Sequence, residues 1–164
     1  MVKKTPHLFL DCDGVLADFD AGAKEILGDT PAGFEKRYGK GEFWKRLARA
    51  RNFYGELPEM PDARDLFEAV KHLKPTILTG LPLGKWAAPQ KERWAAEHFP
   101  GVPIITTMAR QKHLHMEQGD VLVDDRENHR HLWEEAGGIF IHHTSAADSI
   151  RQLAAIYPSV KVPA

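Results

Sequence analysis

Five short apolar runs, each followed by a polar or helical stretch, constrain this chain more than any other feature. They are "HLFLD" (7–11), "PTILTG" (75–80), "VPIITT" (102–107), "DVLVDD" (120–125) and "GIFIHH" (138–143). Runs this short and apolar on both faces are the pattern of strands buried in a parallel sheet. Helical periodicity fills the intervals. "DARDLFEAVKHL" (62–73) places Leu66, Phe67, Val70 and Leu73 at helical spacing, with Asp62 as N-cap. "APQKERWAAEHF" (88–99), "ENHRHLWEEAG" (127–137) and "SAADSIRQLAAIY" (145–157) continue the alternation, the last opening on a Ser145/Asp148 capping signal. Strand and helix in turn imply an α/β fold, a parallel sheet covered on both faces.

One interval breaks the rhythm. Between about Asp20 and Pro61 there is no strand-like run, only helical stretches and the punctuation "ELPEMPD". A connection this long is usually functional or a small insert. It reads as a helical cap (20–61) inserted after the first strand into a core of 1–19 and 62–164. The bland alternative is a crossover of two or three helices.

The acidic residues fall at strand ends. Asp11 and Asp13 close the first run, and Asp124 and Asp125 close the fourth. Ligands of open parallel sheets bind beyond the carboxyl ends of the strands. If the two strands are neighbours, these carboxylates converge and require a cation. Hard oxygen ligands with room for water and phosphate suit Mg²⁺. Asp11 and Asp13, two apart in an extended segment, face the same way, and Gly14 allows a sharp turn. Thr79 and Gly80 end the second run with a hydroxyl and an accessible N–H. Lys112 follows the third run and adds a positive charge; Lys85 and Lys91 compete with it, and its position between the third and fourth strands favours Lys112. Together these are the parts for phosphoryl transfer through an aspartyl-phosphate.

"DCDGVLAD", "LTG", Lys112 and "VLVDD" resemble, in order and setting, the four motifs of the haloacid dehalogenase (HAD) superfamily of phosphohydrolases. "DGVLADF", "NFYGELPEMPDARDLFEAV" and "VLVDDR" resemble more closely the 5'(3')-deoxyribonucleotidases. The resemblance runs from about His7 to His143. It implies a three-layer Rossmann-like fold with a five-stranded parallel sheet and a small helical cap after the first strand. It implies Asp11 as nucleophile and Asp13 as acid, then base. Asp11, the main-chain carbonyl of Asp13, and Asp124 would hold Mg²⁺, with Asp125 outside them or as an alternative ligand. Thr79, the Gly80 backbone and Lys112 would bind phosphoryl oxygens. The sequence departs at Gly80, where such nucleotidases tend to carry a hydroxyl residue.

The expected activity is a Mg²⁺-dependent phosphatase for a small monoester, foremost a nucleoside monophosphate. A sugar phosphate or another small phosphometabolite remains open, as does a non-catalytic phosphate-binding or receiver-like module. Receivers carry their acidic pair before the lysine; here "DD" follows it. Phe43, Trp44, Phe53 and Tyr54 form either the core of the cap or a platform for a nucleobase or sugar. "KRLARAR" (45–51) is a solvated helix face or a funnel for anions. The nine histidines lack cysteine partners or an H-E-x-x-H frame, which favours solvated histidines, or ones behind the ligands of a site, over a metal reading; His142 and His143, at a strand's carboxyl end, are the least easily dismissed. Net charge is -1, so neither nucleic acid nor membrane is expected as a partner. The lone Cys12 excludes an internal disulfide and suggests a reducing, cytoplasmic setting; it should point into the core. The first apolar run meets a carboxylate too soon for a signal peptide or membrane span. Oligomeric state stays open.

Overall fold

A computed structural model describes residues 4–163. Five strands, β1 (Leu8–Leu10), β2 (Thr76–Gly80), β3 (Ile104–Thr107), β4 (Val121–Asp124) and β5 (Ile139–His142), form one sheet in the order β3-β2-β1-β4-β5. Every pairing is parallel, and Leu10 lies level with Ile77 on one side and Val123 on the other. From β1 the chain builds outward through β2 to β3, then crosses to β4 and builds the other way. The reversal falls between β1 and β4, where open parallel sheets bind ligands.

Strand side chains alternate between two cores, as their period of two requires. Leu8, Leu10, Ile77, Val121, Val123 and Ile141 enter the larger core with α3 (Ala63–Val70), α4 (Ala87–His98) and α6 (Ala146–Ile156). Phe9, Leu78, Leu122 and Phe140 face the smaller one, with Trp133 of the short α5 (Arg130–Glu135). A 3-10 turn, Ala109–His115, links β3 to β4 and carries Lys112. The sheet is thus covered on both faces, unequally. The edge strand β3 is only half-buried throughout, unlike the other runs expected to be buried.

The caps show where sequence signals and structure part. Ser145 accepts from the Asp148 N–H at 3.1 Å, as its motif suggests. Asp62 stands before α3, but its side chain caps nothing there. Its Oδ2 instead accepts from the Ala146 N–H of α6 at 2.7 Å, tying the two helices together.

Between β1 and β2 lie α1 (Phe19–Leu27), α2 (Pro31–Arg49, broken at Gly39) and a 3-10 turn, Tyr54–Glu56. Asp18 caps α1 by accepting from the Ala21 N–H, and Thr30 caps α2 through the Gly33 N–H. Phe19, Phe34, Phe43 and Phe53 pack with Tyr54 into the interior of this insertion, Phe19 meeting Phe53 edge-on at 5.3 Å. At its base Ala17 bridges Asp13 and Glu59, so departing and returning segments are stitched together beside the sheet.

Candidate active site

The C-terminal ends of β1, β2 and β4 bring most of the expected residues together. Asp11 leaves β1 and Asp124 ends β4; both are buried, and neighbouring backbone pairing fixes them side by side. Lys112 reaches between them, donating to Asp11 Oδ1 at 2.9 Å and Asp124 Oδ2 at 3.0 Å. Burial works against its charge, but the two carboxylates outweigh that and raise its pKa above the ordinary lysine range. One ammonium does not balance the cluster. Burial, then the adjacent Asp124, pushes Asp11 up to about 7 despite Lys112. Burial and the charge of Asp11 push Asp125 up to about 7 as well.

One carboxylate oxygen from each of Asp11, Asp124 and Asp125 lies within 4.8 Å of the others. Asp125 Oδ1 is buried without a hydrogen-bond partner. Hard oxygen donors, excess negative charge and an orphaned acceptor fit a divalent cation of the Mg²⁺ type. The Asp13 carboxylate stands apart from this trio. Among the described residues, no histidine joins such a group.

Gly14 makes the trio possible. Its φ is +84°, and a Cβ there would overlap the Asp125 carboxylate. Gly14→Ala is therefore expected to displace Asp125 and raise the Mg²⁺ concentration for half-maximal activity by about tenfold or more, measured by metal titration. Gly80 has a packing reason of its own: a Cβ would sit 3.1 Å from the Cβ of Ala109. The glycine lets the Lys112-bearing turn approach β2, which accounts for its departure from the hydroxyl residue suggested by the resemblance.

The raised carboxyl groups give metal-free protein a definite pH response. A folded pKa above the unfolded value means the native state holds the extra proton, so stability falls as pH rises from about 4 to about 7. In chelator, Tm should be lower at pH 8 than at pH 5.5 by about 5 °C or more, and Mg²⁺ should restore it at pH 8. A scanning-fluorimetry series across pH checks both statements.

The structure brings Lys91 to the same site as Lys112. It is 1% exposed, donating to Asp13 Oδ2 and Thr79 Oγ1, each at 2.7 Å. Lys85 is exposed on the loop before α4. The available signal was periodicity: Lys91 shares the buried stripe of α4 with Ala87, Trp94 and Ala95. A lysine on an apolar stripe calls for a buried partner.

A cavity of about 500 Å³ opens over these groups. Asp11, Asp13, Lys112, Asp124 and Asp125 line it, with Phe19, Trp44 and Tyr54 from the insertion. Phe43 and Phe53 are 4% and 3% exposed and belong to the interior; Trp44, at 36%, presents a ring to the cavity. Asp18, Asp20, Asp62, Arg126, His113 and His129 also line it, and sequence reasoning singled out none of them for the site. Lys45, Arg49 and Arg51 of "KRLARAR" are exposed and are not among its lining residues. Cys12 points into the larger core. His142 meets the Asp125 carbonyl at 3.0 Å, while His143 is buried against Ser149 Oγ at 2.7 Å. No helix among the described residues is long and apolar enough to cross a membrane.

The family of 5' nucleotidase, deoxy (pyrimidine), cytosolic type C protein (NT5C) matches residues 5–152. The chain belongs to this family. It is a HAD-type phosphohydrolase of the nucleotidase kind. No curated protein sequence matches it. Solved structures agree on the fold. A hydrolase from Streptococcus pneumoniae TIGR4 superposes with TM-score 0.52 at 12% identity, covering 93% of this chain and 100% of that one. L-2-haloacid dehalogenase from Xanthobacter autotrophicus gives 0.55 at 14% identity, over 94% and 85%. A hydrolase from Pseudomonas syringae gives 0.50 at 13%, over 92% and 99%.

Proposed function

We propose that this nucleotidase-family protein hydrolyses a nucleoside monophosphate through a phosphorylated Asp11, with Mg²⁺ bound by Asp11, Asp124 and Asp125. The observation that carries the reading is Lys112 between Asp11 and Asp124, beside a third carboxylate with an unpaired oxygen. The bound cation would supply counter-charge to the carboxylates and to the phosphoryl oxygens.

In the first step an Asp11 oxygen bonds to phosphorus as the bond to the leaving oxygen breaks. Asp13 gives its proton to that oxygen. In the second, Asp13 takes a proton from water, the water oxygen bonds to phosphorus, and Asp11 is released with inorganic phosphate. Thr79, whose oxygen accepts from Lys91, has its own hydrogen free to donate to a phosphoryl oxygen. The Gly80 N–H and Lys112 neutralise the rest. The helical insertion acts as the cap that selects the leaving group, with Trp44 as the platform for the base.

Trp44→Ala is expected to raise KM for nucleoside monophosphates about tenfold while leaving p-nitrophenyl phosphate hydrolysis nearly unchanged. The reading as a whole is tested by phosphate release from a panel of nucleoside monophosphates and sugar phosphates, with Mg²⁺ and with chelator. Mg²⁺-dependent release led by nucleotides supports it. Preference for a sugar phosphate would overturn the nucleotide assignment, and metal-independent release would overturn the metal assignment.

A further inference from the structure

We propose that Lys91 is a positioning residue for leaving-group protonation, a task separate from that of Lys112. The inference rests on the nucleotidase reading and deepens it. Burying an ammonium is unfavourable unless its donors are met. Lys91 meets all of them: two go to Asp13 Oδ2 and Thr79 Oγ1 at 2.7 Å, and the third side faces the Tyr54 ring, 4.4 Å from its centroid. The two lysines share no partner. Lys112 holds Asp11 and Asp124, the nucleophile side; Lys91 holds Asp13 and Thr79.

The division has a consequence for Asp13. Oδ2 is tied to Lys91, while Oδ1 is buried with no partner. Lys91 thus fixes the rotation of a carboxyl group that lines the cavity, and with it the direction in which Asp13 offers a proton to the leaving group. The same stretch of α4 grips the insertion: the Tyr54 N–H donates to Gln90 Oε1 at 2.9 Å. Gln90 and Lys91 together join the returning end of the cap to the acid and to the phosphate-binding threonine. A cap residue that shifts Tyr54 therefore acts on proton transfer as well as on binding.

Leaving groups distinguish this role from a merely structural one. A nucleoside alkoxide cannot depart without a proton, whereas p-nitrophenolate can. Irreversible formation of the phosphoenzyme makes kcat/KM report the first step alone, before the water attack common to both substrates. Wild type, Lys91→Met and Lys91→Gln are assayed on a nucleoside 5'-monophosphate and on p-nitrophenyl phosphate. The ratio of the two kcat/KM values is independent of the folded fraction, so poor folding does not obscure it. The nucleotide value should fall about 10²-fold or more, and the p-nitrophenyl value at least about tenfold less, its loss being the share that passes through Thr79. In an Asp13→Asn background, Lys91→Met should add little further loss on the nucleotide. Equal losses on both substrates, or full additivity with Asp13→Asn, would overturn the assignment. A wild-type protein inactive on both substrates would overturn the nucleotidase reading itself.

Discussion

Asp11→Asn should abolish turnover, lowering kcat/KM by about 10⁴-fold or more, while the protein stays folded. The amide is isosteric with the carboxylate but cannot attack phosphorus. Its effect on stability runs the other way from its effect on activity. Asp11 is buried, and its charge is disfavoured enough to push its pKa up to about 7. Above that pH the wild-type native state carries an unfavourable buried charge that Asn removes. Lys112 keeps Asp124 as a partner at 3.0 Å. At pH 8 in chelator the variant should therefore melt no lower than wild type. Phosphate release and a thermal melt on one preparation check the pair of results. A variant that loses activity only because it unfolds would count against Asp11 as nucleophile.

Lys112→Met should damage both properties. The methionine fills much of the same volume, so the loss comes from charge rather than from a cavity. Removing one partner of a buried ion pair costs about 3–5 kcal/mol, because the remaining charges are left uncompensated. Here two buried carboxylates lose their ammonium together. The penalty should shrink at pH 5.5, where Asp11 takes up a proton, and in Mg²⁺, which replaces part of the lost charge. Activity should fall about 10²–10³-fold even in saturating Mg²⁺, since the proposed mechanism makes Lys112 a donor to the transferring phosphoryl group. Urea unfolding at two pH values, with and without Mg²⁺, separates the charge effect from a packing effect, which would not vary with either.

Much of this architecture was legible because the strands are short, apolar and terminated by chemistry-bearing residues. Each of the five runs becomes a strand, and "DCDG" and "VLVDD" meet because β1 and β4 are neighbours at the reversal of the sheet. That adjacency was an assumption from sequence; long-range pairing leaves no local mark. Asp62 shows a second limit. Its N-cap position before α3 is a local signal, but its acceptor serves α6, 84 residues away in the chain. Lys91 shows a third. Strand order favoured Lys112 for the third motif, and the choice was framed as one lysine or another. A competition for one role concealed two roles, because the partners of Lys91, Asp13 and Thr79, lie on separate strand ends. The cap aromatics divided in a way periodicity alone did not resolve: adjacent Phe43 and Trp44 point to the interior and toward the cavity, respectively.

The most direct test of the central claim is to trap phosphate on Asp11. Enzyme mixed with labelled nucleoside monophosphate and Mg²⁺ is quenched in acid during turnover, digested, and its peptides are mapped. The expected result is label on the peptide containing Asp11, released by hydroxylamine as an acyl phosphate should be, and absent from Asp11→Asn. Steady turnover with no acid-stable label, together with inversion of configuration at phosphorus, would contradict covalent catalysis by Asp11.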